Sequence, residues 1–319
     1  VIGLALALAL DAAEARSAQQ EKPATAARPR MGTVLRITAY GPEAGKAIDA
    51  AFAEVERLEA LLSNYRTDSE LSRLNAGAGQ GPRKIGPDLA EFLSVCRRWT
   101  DATEGAFDPT LGPVVRAWGF TDRKYRVPSD EELARLRERI GPERWIVTKD
   151  AAELKAAGME LDPGAIGKGY AVDRAAQVLK ARGVTVALID FGSTQVAMGA
   201  PPGKEGWIIG IRDPSAPDRF VSKQVVKDGA VSTSGSAEKF FEVEGKRYGH
   251  ILDPRTLRPV EGVVSVSIRG ADGTSTDAAA TAIFVLGPEA GRALAEKVGV
   301  EALIFGADGK KTVTRGWKE

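Results

Sequence analysis

One histidine stands in the whole chain, His250, in the run Tyr248-Gly249-His250-Ile251-Leu252-Asp253-Pro254-Arg255. Its near-neutral pKa makes it the natural general base here, although a lone histidine also serves as an ordinary structural residue. With one His and one Cys (Cys96), every two-His zinc motif, Cys cluster and disulfide framework is excluded. Any metal must be held mainly by oxygen, which points to Mg²⁺ or a similarly hard cation. Thr274-Ser275-Thr276-Asp277-Ala278-Ala279-Ala280-Thr281 offers such oxygens. Asp277 and Thr281, four apart on a helix, project from the same face. One carboxylate and one hydroxyl, completed by a backbone carbonyl and ligand phosphate oxygens, make a Mg²⁺ shell; simple capping of the helix by Ser275 or Thr276 is the competing account.

Two further segments have the composition of ligand loops. Leu161-Asp162-Pro163-Gly164-Ala165-Ile166-Gly167-Lys168-Gly169 is a glycine-rich turn running into a helix, where small residues let backbone approach a ligand and the helix N-terminus attracts phosphate. It departs from a P-loop at Asp162 and Gly169, and a purely structural turn fits it as well. Gly105-Ala106-Phe107-Asp108-Pro109-Thr110 is a shaped loop, and Tyr65 in Ser63-Asn64-Tyr65-Arg66 can stack on an aromatic heterocycle. Capped-helix and rigid-turn readings compete with both.

These residues must be positioned by elements that periodicity reveals. Thr33–Tyr40 reads as a strand and residues 45–62 as an amphipathic helix. Helices are expected over 69–74, 87–103, 130–140, 166–181, 275–284 and 288–298. Strands are expected over 146–147, 159–161, 184–189, 195–198, 207–211, 223–226, 240–243, 248–252 and 263–268. Hairpin signals such as Glu244-Gly245-Lys246 favour antiparallel pairing, so the fold class is α+β: one large domain of mixed, mainly antiparallel sheets with flanking helices. Residues 1–30 read as a signal-peptide remnant and linker and 31–319 as the domain. Val1–Leu10 is too short to span a membrane but has the apolar core of an export signal, with Ala13-Glu14-Ala15 as a cleavage site and a polar linker over 17–30. An exported, periplasmic or cell-envelope location is expected, without a lipidated cysteine near the N-terminus. Lys plus Arg total 44 against 43 Asp plus Glu, a net charge of +1, which argues against nucleic acid held by bulk charge.

In this order, the motifs resemble the ApbE family of FAD:protein FMN transferases. The resemblance runs from Met31-Gly32-Thr33 through SNYRTDSELSRLN (63–75), GAFDPTLGPVVRAWGF (105–120) and LDPGAIGKGYAVD (161–173). It continues through STSG (232–235), GHILDPRT (249–256) and STDAAATAIFVLG (275–287). It implies Mg²⁺ bound by Ala165, Asp277 and Thr281. It implies FAD lying against Met31, Tyr65, Ala106, Phe107, Asp108, Asp162, Lys168 and Ile251, with His250 as base. FAD is then the substrate. The partner is an acceptor flavoprotein subunit with a Thr or Ser flavinylation site, for which subunits of membrane redox complexes are candidates. AMP is released, and hydrolysis of FAD to FMN and AMP is a side reaction of such enzymes. Gly192-Ser193-Thr194 and Ser236-Ala237 depart from the common pattern of that family. A non-catalytic periplasmic FAD-binding protein is the alternative reading. Ser236-Ala237-Glu238-Lys239 also fits the S-x-x-K of penicillin-binding enzymes, but no SDN or KTG follows it.

Overall fold

The computed structural model describes residues 22–216, 218–237 and 239–318. The expected export signal and the first part of the linker lie outside them. In chain order the elements begin with strands β1 (Ala24–Arg30) and β2 (Thr33–Tyr40) and helix α1 (Ala44–Leu62). Next come α2 (Glu70–Ala76), β3 (Arg83–Lys84), α3 (Pro87–Ala102), α4 (Gly112–Ala117), α5 (Asp130–Leu136), β4 (Trp145–Val147) and β5 (Ala151–Leu154). Helix α6 (Gly167–Ala181) leads into β6 (Val186–Phe191), β7 (Thr194–Met198), β8 (Trp207–Arg212), β9 (Phe220–Val226) and β10 (Gly229–Gly235). Then follow β11 (Phe240–Val243), β12 (Lys246–Gly249), β13 (Leu252–Asp253), β14 (Arg258–Pro259) and β15 (Val263–Gly270). Helices α7 (Gly273–Leu286) and α8 (Pro288–Val298) and strands β16 (Glu301–Gly306) and β17 (Lys311–Val313) close the chain.

Eight strands form the main sheet in the order β1-β2-β6-β7-β10-β15-β16-β17, with every neighbour antiparallel. The spatial order follows the chain order, so the sheet is a meander with long excursions after β2, β7 and β10. Alternation puts Leu35, Ile37, Ala187, Ile189, Phe191 and Ile304 on one face, where α1, α6 and α7 bury them. On the other face the β8–β9 hairpin packs Ile209, Ile211 and Val226 against Ala197, Val231 and Leu303. A satellite cluster, Val114, Trp118, Leu133, Phe241, Leu252 and Leu257, joins α4 and α5 to the β11–β14 strands.

Register places several chain reversals at one end of the sheet. Leu35 pairs with Phe191 and Thr194 with Ser232, so the Met31-Gly32 turn, the Gly192-Ser193 turn and the last residues of β10 lie together. The first of these is a two-residue hairpin with positive φ at both residues, 44° at Met31 and 75° at Gly32. That backbone suits the twist of the strands but puts a methionine where glycine or asparagine is preferred.

The α+β antiparallel architecture agrees with the sequence expectation, and several boundaries change. Residues 24–30 are not linker: they pair along their length with β2, so the folded domain includes β1. Their inner face lies on α1, where Arg28 caps the Phe52 ring at 4.4 Å, and Pro29 is accepted because β1 is an edge strand. Residues 159–161 make only an isolated parallel bridge, Leu111 to Glu160, because they run on into the glycine turn. The expected strand over 248–252 breaks at His250, and the expected helix over 130–140 ends as a short 3₁₀ turn.

Candidate active site

A cleft of about 470 Å³ opens at the sheet end just described. Eleven of the twelve residues singled out in the sequence line it: Met31, Tyr65, Ala106, Asp108, Asp162, Ala165, Lys168, His250, Ile251, Asp277 and Thr281. Phe107 is the exception. Its side chain is only 1% exposed and sits in the main core, so it anchors the loop from behind while Ala106 and Asp108 face the cleft.

Local chemistry explains how each loop holds its residue. In the segment 63–72 the Ser69 and Ser72 hydroxyls donate to the Ser63 carbonyl at 2.7 and 3.0 Å, and Ser69 caps α2 by accepting from the Ser72 N–H at 2.9 Å. The closed loop projects Tyr65 at the cleft rim with 75% of its surface exposed. Asn75 then grips Leu161 through both its backbone groups at 2.9 and 3.0 Å, and the Asp162 N–H donates to the Pro109 carbonyl at 2.7 Å. These bonds tie three separate motifs into one wall. Asp108 accepts from the N–H and hydroxyl of Thr110, and Asp162 accepts from the Gly164 N–H at 2.7 Å. Burial pushes both carboxyls up from the ordinary carboxylate range.

The opposite wall depends on two glycines. A Cβ on Gly169 would lie 2.2 Å from the Gly273 carbonyl oxygen, and one on Gly273 would lie 2.6 Å from Val172 Cγ2. Their absence lets the first turns of α6 and α7 touch. Asp173 of α6 then accepts from the N–H groups of Gly273 and Thr274, both at 2.7 Å, capping α7 from outside. Burial raises the Asp173 pKa to about 6. Across this contact the Gly169 N–H donates to Asp277 Oδ2 at 2.9 Å. Burial also raises the Asp277 pKa, opposed by the Lys168 charge, the Gly169 N–H and the Thr194 hydroxyl. Lys168 donates to Ser193 Oγ at 2.7 Å.

Asp277, Thr281 and Ala165 line one region with oxygen donors only, which suits a hard divalent cation. Among the described residues no group of three or more His, Cys, Asp or Glu is placed to hold a metal. A cation here therefore draws the rest of its shell from water and from the oxygens of a bound ligand.

His250 sits between β12 and β13, where the strand break frees its ring. Nδ1 lies 3.1 Å from the Lys239 carbonyl, and the His250 N–H donates to the same oxygen at 3.1 Å. A carbonyl only accepts, so Nδ1 carries the proton and Nε2 keeps the lone pair. The Phe120 ring meets the imidazole edge to face at 6.4 Å. Burial lowers the His250 pKa from 6.5 to about 4, opposed by the hydrogen bond to the Lys239 carbonyl and aided by the Lys239 and Lys168 charges. Sequence reasoning took the unperturbed value: it named Lys168 for FAD but not for its charge on His250, and it missed Lys239 and Phe120 as neighbours of the imidazole. Glycine at 169 and 273 was the available signal for the helix contact. Of the described residues in the S-x-x-K run only Lys239 lines the cleft; Ser236 does not, and its hydroxyl lies 3.4 Å from the Val264 carbonyl.

Known proteins are similar to this chain in sequence and fold. A family model described as the ApbE family matches residues 31–304. A FAD:protein FMN transferase from Treponema pallidum is 35% identical over 308 residues, covering 90% of this chain and 85% of that protein. One from Vibrio cholerae is 33% identical over 298 residues, covering 89% of each. Among solved structures, the ApbE protein of Thermotoga maritima superposes with a TM-score of 0.86 at 29% identity, over 92% of this chain and 97% of that one. The apo flavinyl transferase ApbE of Pseudomonas stutzeri gives 0.83 at 32% identity, over 93% and 96%. The cleft is thus the meeting point of motifs held in one order over nearly all of the described residues, and the chain belongs to the ApbE family.

Proposed function

We propose that this protein is a Mg²⁺-dependent FAD:protein FMN transferase. It cleaves the FAD pyrophosphate, attaches FMN through a phosphodiester to a Thr or Ser hydroxyl of an exported flavoprotein subunit, and releases AMP. Hydrolysis of FAD to FMN and AMP is the side reaction when water takes the place of that hydroxyl. The observation that carries this reading is the convergence of the buried Asp277 carboxylate, Lys168 and the His250 imidazole on a single cleft with an exposed tyrosine at its rim.

The chain's own groups divide the work. Tyr65, Met31 and Ile251 supply apolar surface for the flavin, and Asp108 and Asp162 supply acceptors for its polar edges. Lys168 and the α6 N-terminus face the pyrophosphate and stabilise charge developing on the departing AMP. Asp277, Thr281 and Ala165 hold Mg²⁺, which when bound neutralises charge on the pyrophosphate oxygens. His250 accepts the proton of the attacking hydroxyl at Nε2, and the Lys239 carbonyl keeps the tautomer that makes this possible. The new bond joins the acceptor oxygen to the FMN phosphorus, and the bond from that phosphorus to the bridging oxygen breaks.

Incubating the protein with FAD, Mg²⁺ and candidate periplasmic flavoprotein subunits, then weighing the products, tests the reading. Transfer adds one FMN less one water to the acceptor and yields one AMP. Flavin binding with no AMP, with or without Mg²⁺, returns the protein to the class of FAD-binding proteins without turnover.

A further inference from the structure

Polar groups continue behind Asp277, on the side away from the cleft. Thr194 and Thr276 are fully buried and Ser232 is 1% exposed. Thr194 Oγ1 donates toward Asp277 Oδ1 at 3.5 Å, Ser232 Oγ donates to Thr194 Oγ1 at 3.2 Å, and Ser232 and Thr276 are 2.8 Å apart. Thr276 also reaches the carbonyls of Asp272 and Gly273, both at 3.1 Å. None of the three lines the cleft, so none is placed to touch a ligand. Three consecutive hydroxyls in a sheet-to-helix core are costly unless each is bonded, and valine would fill the same space without that requirement.

Counting protons gives the row a direction. An ionised carboxylate only accepts, and each hydroxyl has one proton to give. Thr194 therefore spends its proton on Asp277 and accepts from Ser232. Ser232 in turn accepts from Thr276, or Thr276 turns its proton to the two carbonyls. Each donation polarises the next toward the carboxylate. The terminal torsion of an aspartate is broad, so a carboxylate held at one oxygen swings about that bond. Asp277 has a donor at each oxygen: the Gly169 N–H on Oδ2 at 2.9 Å and, at the longer distance of 3.5 Å, the Thr194 hydroxyl on Oδ1.

The geometry points to Thr194 as a positioning residue that, backed by Ser232 and Thr276, fixes the plane of the Asp277 carboxylate for the cation. The inference rests on the Mg²⁺ reading given above. Groups behind a metal ligand typically carry 10- to 100-fold in metal affinity.

The test titrates Mg²⁺ alone into the full chain and follows thermal melting. It then measures FAD affinity without metal by flavin fluorescence, and FAD cleavage against Mg²⁺ concentration. Thr194→Val keeps the shape and removes the proton. It should need about 10- to 100-fold more Mg²⁺ for half-maximal stabilisation and half-maximal rate, recover the parent rate within about twofold at saturation, and bind FAD without metal as the parent does. Thr194→Ser should restore the parent Mg²⁺ dependence. Ser232→Ala should shift it in the same direction by less, and it carries the test if the valine variant does not fold. Unchanged Mg²⁺ dependence in both Thr194→Val and Ser232→Ala, or a rate loss that saturating Mg²⁺ does not repair, overturns the inference. If the parent itself shows no response to Mg²⁺, the cation reading and this inference fall together.

Discussion

Asp277 and His250 face the same cleft, and burial acts on both, yet their surroundings answer it in opposite ways. At Asp277 burial favours the neutral acid, while the Lys168 charge, the Gly169 N–H and the Thr194 hydroxyl all favour the carboxylate. At His250 burial favours the neutral base and the charges of Lys239 and Lys168 push the same way, against the hydrogen bond to the Lys239 carbonyl, which favours the imidazolium. Burial prevails at both, but nearby charge opposes it at one pole and adds to it at the other. The supports differ too. Asp277 is fixed by two helices locked through glycine contact, whereas His250 leans on a backbone carbonyl and on Phe120, whose ring is tilted against Phe241 of the stacked Phe241–Tyr248 pair. Charge-holding and proton-accepting fall to different residues of one cleft, with the Lys168 charge acting on both.

Removing the charge at the first pole should have the largest effect. Asp277→Ala is expected to abolish Mg²⁺-dependent FAD cleavage, a loss of at least about 10³-fold, since the only full negative charge among the three proposed ligands disappears. Parent-like AMP release by this variant at limiting Mg²⁺ would refute the division of roles.

His250→Ala attacks the second pole. FAD and Mg²⁺ binding should persist while transfer falls by about 10²- to 10⁴-fold, the usual worth of a positioned base. In the parent, kcat/KM should stay level as pH falls from 8 toward 6 and decline only as it approaches the lowered His250 pKa of about 4, because protonated imidazole cannot accept the hydroxyl proton. An acid limb centred at pH 6.5 would mean the imidazole is solvated and the contrast with Asp277 is lost.

Gly169→Ala addresses the supports. Its methyl would press on the Gly273 carbonyl from 2.2 Å, backbone against backbone, so α6 and α7 must part. Urea unfolding should report a loss of about 1 to 3 kcal/mol, with reduced activity as Asp277 leaves the Gly169 N–H. A variant as stable and active as the parent would show that the helix contact does not set the site.

The smallest effect is expected from Thr281→Ala. The hydroxyl is neutral and lies 3.5 Å from Ser234 Oγ, so water can replace it. A few-fold rise in the Mg²⁺ requirement, without change in FAD affinity, is the expected kinetic result.

Particular residues show how far the sequence carried these conclusions. The longer helices were visible because their apolar spacing and caps are local, and at one of them Ser129 accepts from the Glu132 N–H; the six-residue helix α4 was not expected. Strand β10, Gly229–Gly235, was not visible, although it lies at the centre of the sheet. Its residues are small because α7 packs closely over it, so it lacks the branched alternation that marks a strand. The cleft residues were found through family motifs and not through periodicity, since Gly169 meets Asp277 across 108 positions of chain. Phe107 was misplaced for a related reason. A motif names a run of residues, but a turn sends its neighbours to opposite sides, and only the fold tells which side is the core. The low pKa of His250 lay beyond reach because its causes, burial and two distant lysines, exist only after folding.

The hairpin tip at Met31 exposes this protein to a particular engineering error. Its left-handed backbone at φ 44° costs a methionine on the order of 1 kcal/mol that glycine or asparagine would avoid. A stability screen would therefore reward replacing it, and the winning clones would melt higher. They would also have lost the thioether from the lip of the cleft. If Met31 lies against the flavin as proposed, selection for thermostability and selection for turnover pull this one position in opposite directions, and a library scored on melting temperature alone would drift away from catalysis without any sign of damage.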